Sequence, residues 1–261
     1  MEIFIFQHER LYFSKREGIF NMVNRIISLI FLLFIGISSA FLFLIALMIW
    51  FVTVLFDKRL KILHLYSCFW ASIYLWFMPA WSVTIKGKQN IDKNKTYVVV
   101  SNHQSLLDIL VVFRIFFHFK WVSKIEIFRI PFIGWNMRLN KYIALKRGDK
   151  ESVQEMFDDC NKAISQGSSV YIFPEGTRSK TKELRSFKPG AFVLAKDNKV
   201  PILPIVISGT RKALPKYSLN FHGKNPIHIE ILPEIPYAEF QDMPIEELSS
   251  NVREKIIEKL Y

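Results

Sequence analysis

Two short stretches of this sequence carry residues whose types and spacing do chemistry. In Ser101-Asn102-His103-Gln104-Ser105-Leu106-Leu107-Asp108, an imidazole stands five positions before a carboxylate, and histidine is the ordinary side chain that titrates near neutral pH. About seventy residues on comes Phe173-Pro174-Glu175-Gly176-Thr177-Arg178-Ser179. Its glycine lets backbone approach an anion, its hydroxyls donate hydrogen bonds, and Arg178 offers a planar fork matched to phosphate oxygens. Together the stretches describe a general base beside a phosphate cradle. The base would take the proton of a hydroxyl as it attacks a thioester, and the cradle would hold that alcohol by its phosphate.

Taken alone, each half has a plainer reading. His103 is then a satisfied turn histidine with a capping carboxylate nearby, and the second stretch a strand-end turn with an exposed ion pair. On one continuous helix an offset of five residues turns two side chains ~140° apart. His103 must therefore precede the helix and only Asp108 lie within it, a bend that Ser101 and Asn102 suit. A carboxylate set in Leu106-Leu107-Asp108-Ile109-Leu110 is costly to bury without a partner, which favours the pair. Glu175 is expected to aim Arg178 or to bind a glycerol hydroxyl. Lys124 and Arg147, each just past an expected strand, are further candidates for the same anion; singly, each reads as a solvated surface charge. The basic run Lys180, Lys182, Arg185 and Lys188 is expected to meet headgroups or a polyanionic acyl carrier.

Other chemistries are excluded or disfavoured by what the stretches lack. Ser105 has no flanking glycines and neither cysteine has a reactive setting, so transfer without an acyl-enzyme is expected. No Gly-Lys-Ser/Thr follows a glycine at Walker A spacing. His103 and Asp108 have no third ligand nearby in sequence, so no metal is expected.

The elements that must position these residues begin at Thr96, where short β-rich runs alternate with helical periods, the sign of an α/β domain. Strands are expected over 97–101, 142–146, 169–173, 202–207 and 227–232. Helices are expected over 104–119, 152–166, 191–197 and from about Ile245 to the C-terminus. Ser152 and Glu155 have capping-box spacing, and Gly167 ends that helix.

Upstream the chain is of another kind. No charged residue occurs between Arg25 and Asp57, and the run Ile26 to Phe56, roughly thirty residues, exceeds the ~20 needed to cross hydrocarbon. It is about twice the length of a signal-peptide core and follows a charged leader. A second uncharged run, Leu63 to Ile85, is crowded with Trp70, Tyr74, Trp76 and Trp81, aromatics that suit headgroup depth. The expected division is a charged leader over 1–25, a membrane-embedded helical segment over 26–85 and an α/β domain over 86–261. Were both runs to span the bilayer, Lys58, Arg59 and Lys61 would face away from the other basic clusters, against the positive-inside bias. The first run is therefore expected to re-enter, bending near Gly36-Ile37-Ser38-Ser39.

The 261 residues carry a net charge of +12 and a sequence pI near 9.6. Such a balance raises nucleic acid as a partner. For a chain already anchored in a bilayer, anionic lipid headgroups explain it and no nucleic acid is expected. Two cysteines, Cys68 and Cys160, provide neither a disulfide framework nor a zinc spacing.

Four blocks of this sequence resemble, in order and rough spacing, the motif blocks of the glycerolipid acyltransferases, specifically the bacterial 1-acyl-sn-glycerol-3-phosphate (lysophosphatidic acid) acyltransferases. They are Asn102-His103 with Asp108, Lys124 to Gly134, Phe173 to Ser179, and Val200-Pro201-Ile202-Leu203-Pro204. The resemblance covers about Tyr97 to Ser208. It implies a mixed β-sheet flanked by helices, attached through an N-terminal helical membrane motif to the cytoplasmic face of the inner membrane. The activity implied makes phosphatidic acid from lysophosphatidic acid and an acyl thioester, with acyl-CoA or acyl carrier protein as co-substrate and no cofactor. By position, His103 resembles the catalytic base and Asp108 its partner. Lys124 and Arg178 resemble phosphate ligands, Glu175, Gly176 and Thr177 shape the acceptor site, and Val200, Pro201, Ile202 and Pro204 would help wall the acyl pocket. Glycerol-3-phosphate or a lyso-aminolipid as acceptor, and a non-catalytic lipid-binding protein of the same fold, are the other readings.

Overall fold

A computed structural model describes residues 2–179, 183–215 and 224–260, with side chains from residue 22 onward. Lys180 and Lys182 of the basic run lie outside the described residues.

Helix α1, Glu2–Thr53, is continuous and absorbs the expected leader; its stretch Met22–Thr53 is long and apolar enough to cross a membrane. The bend expected at residues 36–39 does not occur. Ser38 Oγ donates to Phe34 O at 2.5 Å, a turn back along the helix, and Ser39 Oγ meets Tyr74 Oη at 2.8 Å. Those hydroxyls are satisfied without breaking the ladder. Helix α2, Lys61–Trp76, packs alongside α1 and turns Trp70 and Tyr74 inward, whereas Trp76 is exposed. With Trp81, which is also buried, three of the four aromatics expected at headgroup depth are thus core residues.

The connection between α1 and α2 rests on the α/β domain. Arg59 Nη1 donates to Gly167 O at 3.0 Å, and Lys120 Nζ donates to Arg59 O at 2.8 Å. The basic cluster at 58–61 thus lies on the domain's side of the helices.

Among the described residues, seven strands form one sheet: β1 Trp81–Lys86, β2 Val98–Ser101, β3 Phe119–Lys124, β4 Ile143–Leu145, β5 Ser169–Ile172, β6 Ile202–Ser208 and β7 Asn225–Ile231. Their order is β1-β7-β6-β2-β5-β3-β4. Neighbours are parallel except β6 with β7. Strand β1 corrects the expected boundary, because Trp81 to Ile85 belong to the sheet and not to the membrane segment. It lies at one edge of the sheet, and its alternation of buried and more exposed residues shows that one of its faces is covered.

The sheet has a core on each face. Val99, Leu203, Ile205 and Tyr171 face α2 and helix α3, Leu107–Phe113. Val98, Val100, Ile202 and Val206 face helices α5, Lys150–Ser165, and α6, Gly190–Asp197, together with the C-terminal helix Ile245–Leu260. The central strands are buried on both faces, as parallel strands under two helical layers are. Helix α4, Ile133–Leu139, packs against α1.

Two local expectations are corrected. The helix expected over 104–119 ends at Phe113, because Phe116 takes φ 55° and reverses the chain into β3. Helix α5 begins earlier than its expected capping box: Asp149 is the N-cap and accepts the Ser152 amide at 3.1 Å.

Candidate active site

The parallel run β2-β5-β3-β4 puts four strand C-termini side by side, the edge at which open α/β sheets hold ligands. His103 follows β2, Phe173 to Arg178 follow β5, Lys124 ends β3, and Arg147 lies two residues past β4. Residues scattered over seventy-five positions of sequence become neighbours for this reason alone.

His103 sits in the turn before α3, as the helical offset requires. Asp108, in the first turn of α3, is fully buried, and its Oδ2 takes three hydrogen bonds: from His103 Nδ1 at 2.9 Å, Gln104 N at 2.6 Å and Ser105 N at 2.8 Å. A carboxylate oxygen so placed can only accept, so Nδ1 carries the imidazole proton and Nε2 keeps its lone pair. Asn102 fixes the turn from behind, exchanging two hydrogen bonds with the Ile207 backbone at 2.7 and 2.8 Å.

Glu175 behaves differently from expectation. Its Oε1 accepts the His103 amide at 2.6 Å and its Oε2 accepts the Arg185 amide at 3.2 Å. The Ser179 amide in turn donates to His103 O at 2.9 Å. The carboxylate therefore stitches the two motif loops together, and Glu175 is not among the residues that line the cavity His103 borders. Burial pushes its pKa up to about 7, against the lowering pull of those two amides.

Gly176 takes φ 67°, a left-handed conformation that favours glycine, and a Cβ there would stand 2.9 Å from Lys188 Cε. Gly134 is needed for close approach instead, since a Cβ would lie 2.4 Å from Phe128 O.

His103, Lys124, Arg147, Gly176, Thr177 and Arg178 all border one cavity of about 510 Å³. Its lining carries the cations Lys124, Arg147 and Arg178 and is otherwise largely apolar, with Ile109, Leu110 and Phe113 of α3, Trp70 and Ala71 of α2, and Met137 of α4. Lys124 also pairs with Glu126 at 2.9 Å. Such a space takes an anionic head at the rim and a hydrocarbon chain within.

Val200, Pro201, Ile202 and Pro204 do not border this cavity. Strand β6 is separated by β2 from β5, whose Ile172 borders the cavity, and Val200 and Ile202 pack into the core against α5, α6 and the C-terminal helix. Alternation along β6 turns Leu203 and Ile205 the other way, into the core shared with α2 and α3. The four residues expected to wall an acyl pocket therefore lie away from this cavity, whose apolar lining comes largely from helices α2, α3 and α4.

Sequence reasoning also missed Phe173, whose ring stacks on the His103 imidazole with centroids 4.0 Å apart. Its place beside Pro174 was visible, but nothing in the spacing shows which way its ring turns.

A sequence model of the Acyltransferase family matches residues 82–208, from β1 through β6. The chain is 34% identical over 238 residues to a chloroplastic 1-acyl-sn-glycerol-3-phosphate acyltransferase of Brassica napus, covering 90% of this chain and 68% of that protein. It is 38% identical over 226 residues to one of Arabidopsis thaliana, covering 82% of this chain and 63% of that protein. The chain belongs to the family of 1-acyl-sn-glycerol-3-phosphate acyltransferases. A bacterial relative from Borreliella burgdorferi is 26% identical over 203 residues, with 77% of this chain and 80% of that protein covered. The crystal structure of the 1-acyl-sn-glycerophosphate acyltransferase of Thermotoga maritima has the same fold, with a TM-score of 0.66 at 24% identity over 86% of this chain and 95% of that one.

Proposed function

We propose that this protein transfers an acyl group from a thioester to the sn-2 hydroxyl of 1-acyl-glycerol-3-phosphate, giving phosphatidic acid for phospholipid biosynthesis. The observation that carries this reading is that His103 and Arg178 border the same cavity, whose lining joins three cations to a largely apolar wall. His103 Nε2 takes the proton of the acceptor hydroxyl while its oxygen attacks the thioester carbonyl. The carbon–sulfur bond then breaks, and the imidazolium returns the proton to the departing thiolate. Asp108 holds the tautomer and balances the charge that His103 gains. Arg178, Lys124 and Arg147 hold the phosphate at the rim, and an acyl chain lies between α2, α3 and α4.

The thioester is acyl-CoA or acyl-acyl carrier protein. The apolar α1 seats the domain at the inner membrane, on the cytoplasmic face, among anionic lipids. The names of the family relatives support lysophosphatidic acid as acceptor.

Purified full-length protein in vesicles, given labelled acyl-CoA or acyl-acyl carrier protein, is expected to release thiol only when lysophosphatidic acid is present. Release that is equal with glycerol-3-phosphate or a lyso-aminolipid would overturn the acceptor assignment. Binding of both substrates without release would overturn the reaction.

A further inference from the structure

Arg253 lies on the C-terminal helix, Ile245–Leu260, beyond the residues that the acyltransferase family model matches. Its guanidinium donates from Nη2 to Leu184 O at 2.6 Å and from Nε to Arg185 O at 3.0 Å. The carbonyl before these, Glu183 O, accepts from Ser179 Oγ at 2.9 Å. Three successive carbonyls of a stretch without regular secondary structure are thus each held by a side chain. Leu184 and Phe187 anchor the same stretch in the core beneath the sheet, where Val252 of the C-terminal helix also lies.

The other edge of this stretch reaches the catalytic turn. The Arg185 amide donates to Glu175 Oε2, and Glu175 Oε1 accepts the amide of His103. Both carboxylate oxygens are committed to main-chain donors, so the position of Glu175 follows that of the stretch 183–185. A guanidinium fork suits the task, because it can meet two carbonyls at once where an ammonium is a point donor.

We propose that Arg253 is a positioning residue for His103, acting through the strapped stretch 183–185 and Glu175. The C-terminal helix is then part of the catalytic apparatus although no residue of it borders the cavity. This inference rests on the reading of His103 as the base. Loosening the strap frees Glu175 to move and weakens its hold on the His103 amide, and a displacement of about 1 Å at a catalytic group can cost on the order of a hundredfold.

The test compares full-length wild type with Arg253→Ala and Arg253→Lys in detergent micelles, by amide hydrogen exchange and by kinetics. In Arg253→Ala, exchange at the His103 and Arg185 amides is expected to rise roughly tenfold or more while that at Val99 and Tyr171 in the sheet stays unchanged, the mark of local rather than global opening. The same variant should lose kcat with little change in KM for the acyl donor, and Arg253→Lys should recover part of both effects. Its effect on kcat should also fail to add to that of Glu175→Gln, since the two act in series. Unchanged exchange at His103, or exchange that rises evenly across the sheet, would overturn the proposal. If Arg253→Ala does not fold, Arg253→Lys decides by the same exchange measurement. Exchange needs no turnover, so an inactive wild type would count against the proposed reaction while the role of Arg253 is judged separately.

Discussion

The imidazole of His103 lies flat on the ring of Phe173, with centroids 4.0 Å apart and planes inclined by 17°. Phe173 stacks in turn on Trp121 at 5.5 Å and 22°, so the His103 imidazole is the outer leaf of an aromatic stack rooted in β3. Asp108 fixes the ring's edge and Phe173 its face. Between them they leave the imidazole little freedom to rotate.

Phe173→Ala removes the facing ring and leaves the Asp108 bond in place. Stacked aromatic pairs contribute about 0.5–1.5 kcal/mol beyond area burial, so kcat is expected to fall by up to roughly tenfold. Thiol-release kinetics would show it, with circular dichroism confirming the fold. An unaltered kcat would mean that Asp108 alone orients the ring.

Asp108→Asn strikes three donors at once, because Oδ2 serves His103 Nδ1 and the amides of Gln104 and Ser105. An amide cannot balance an imidazolium. The expected loss in kcat is about 10² to 10⁴-fold, the range of general-base catalysis. The double variant with His103→Ala should be no slower than His103→Ala alone; additive losses would show that the two do not work as a unit.

The grouping of the candidate residues was legible because it rests on residue type and on strand ends. His103 with Asp108, and Gly176 with Arg178, need only the rule that ligands gather at strand C-termini to be brought together. What the sequence hid is direction. Glu175 is a charged residue beside an arginine, and only three-dimensional placement shows that its oxygens turn to the main-chain amides of His103 and Arg185. Val200 to Pro204 form an apolar run, but the face that each residue presents depends on which layer β6 borders. The boundary between α3 and β3 was invisible because the run from Leu106 to Phe119 is apolar almost throughout, and periodicity cannot separate helix from strand there.

Arg178→Ala should weaken acceptor binding while sparing the base. Hydrogen bonds to charged groups contribute about 1.5–3 kcal/mol, so KM for lysophosphatidic acid is expected to rise roughly ten- to a hundredfold. A phosphate-free acceptor should be used equally by wild type and variant. Equal loss with both acceptors would remove Arg178 from the cradle.

The corrected cavity wall makes a paired prediction. Ile202→Val should cost about 0.5–1.5 kcal/mol of stability, as core truncations of this size do, and leave acyl-chain preference alone. Ala71→Leu adds bulk from α2 into the cavity and should shift use toward shorter acyl donors. Donor competition between chain lengths, with product analysis by mass spectrometry, would read both. A changed preference in Ile202→Val would return β6 to the acyl site.

Lys120 gives the fold a dependence on pH. Its side chain leaves β3 for a buried site between the α1–α2 connection and α4, where Nζ donates to Arg59 O at 2.8 Å and Asn140 O at 2.7 Å. Burial draws its pKa down from 10.5 to about 7; Asp57 opposes that shift and Lys141 adds to it. A neutral amine has two hydrogens for those two carbonyls, so deprotonation leaves both bonds intact. Between about pH 7 and pH 10.5 the unfolded chain holds the proton that the folded chain has released. Stability should therefore rise with pH from about pH 7, and His118, pushed down to about 3 by burial and then by Lys120, Arg59 and Lys61, acts only at lower pH. From about pH 9 the buried Cys160 thiol, pushed up to about 12, acts in the opposite sense, so the rise belongs to Lys120 between about pH 7 and pH 9. Lys120→Met should be less stable at pH 10, having lost both hydrogen bonds, and should lack the rise. Thermal unfolding in detergent at a series of pH values would check this, and profiles that run parallel for wild type and variant would mean that Lys120 stays an ammonium throughout.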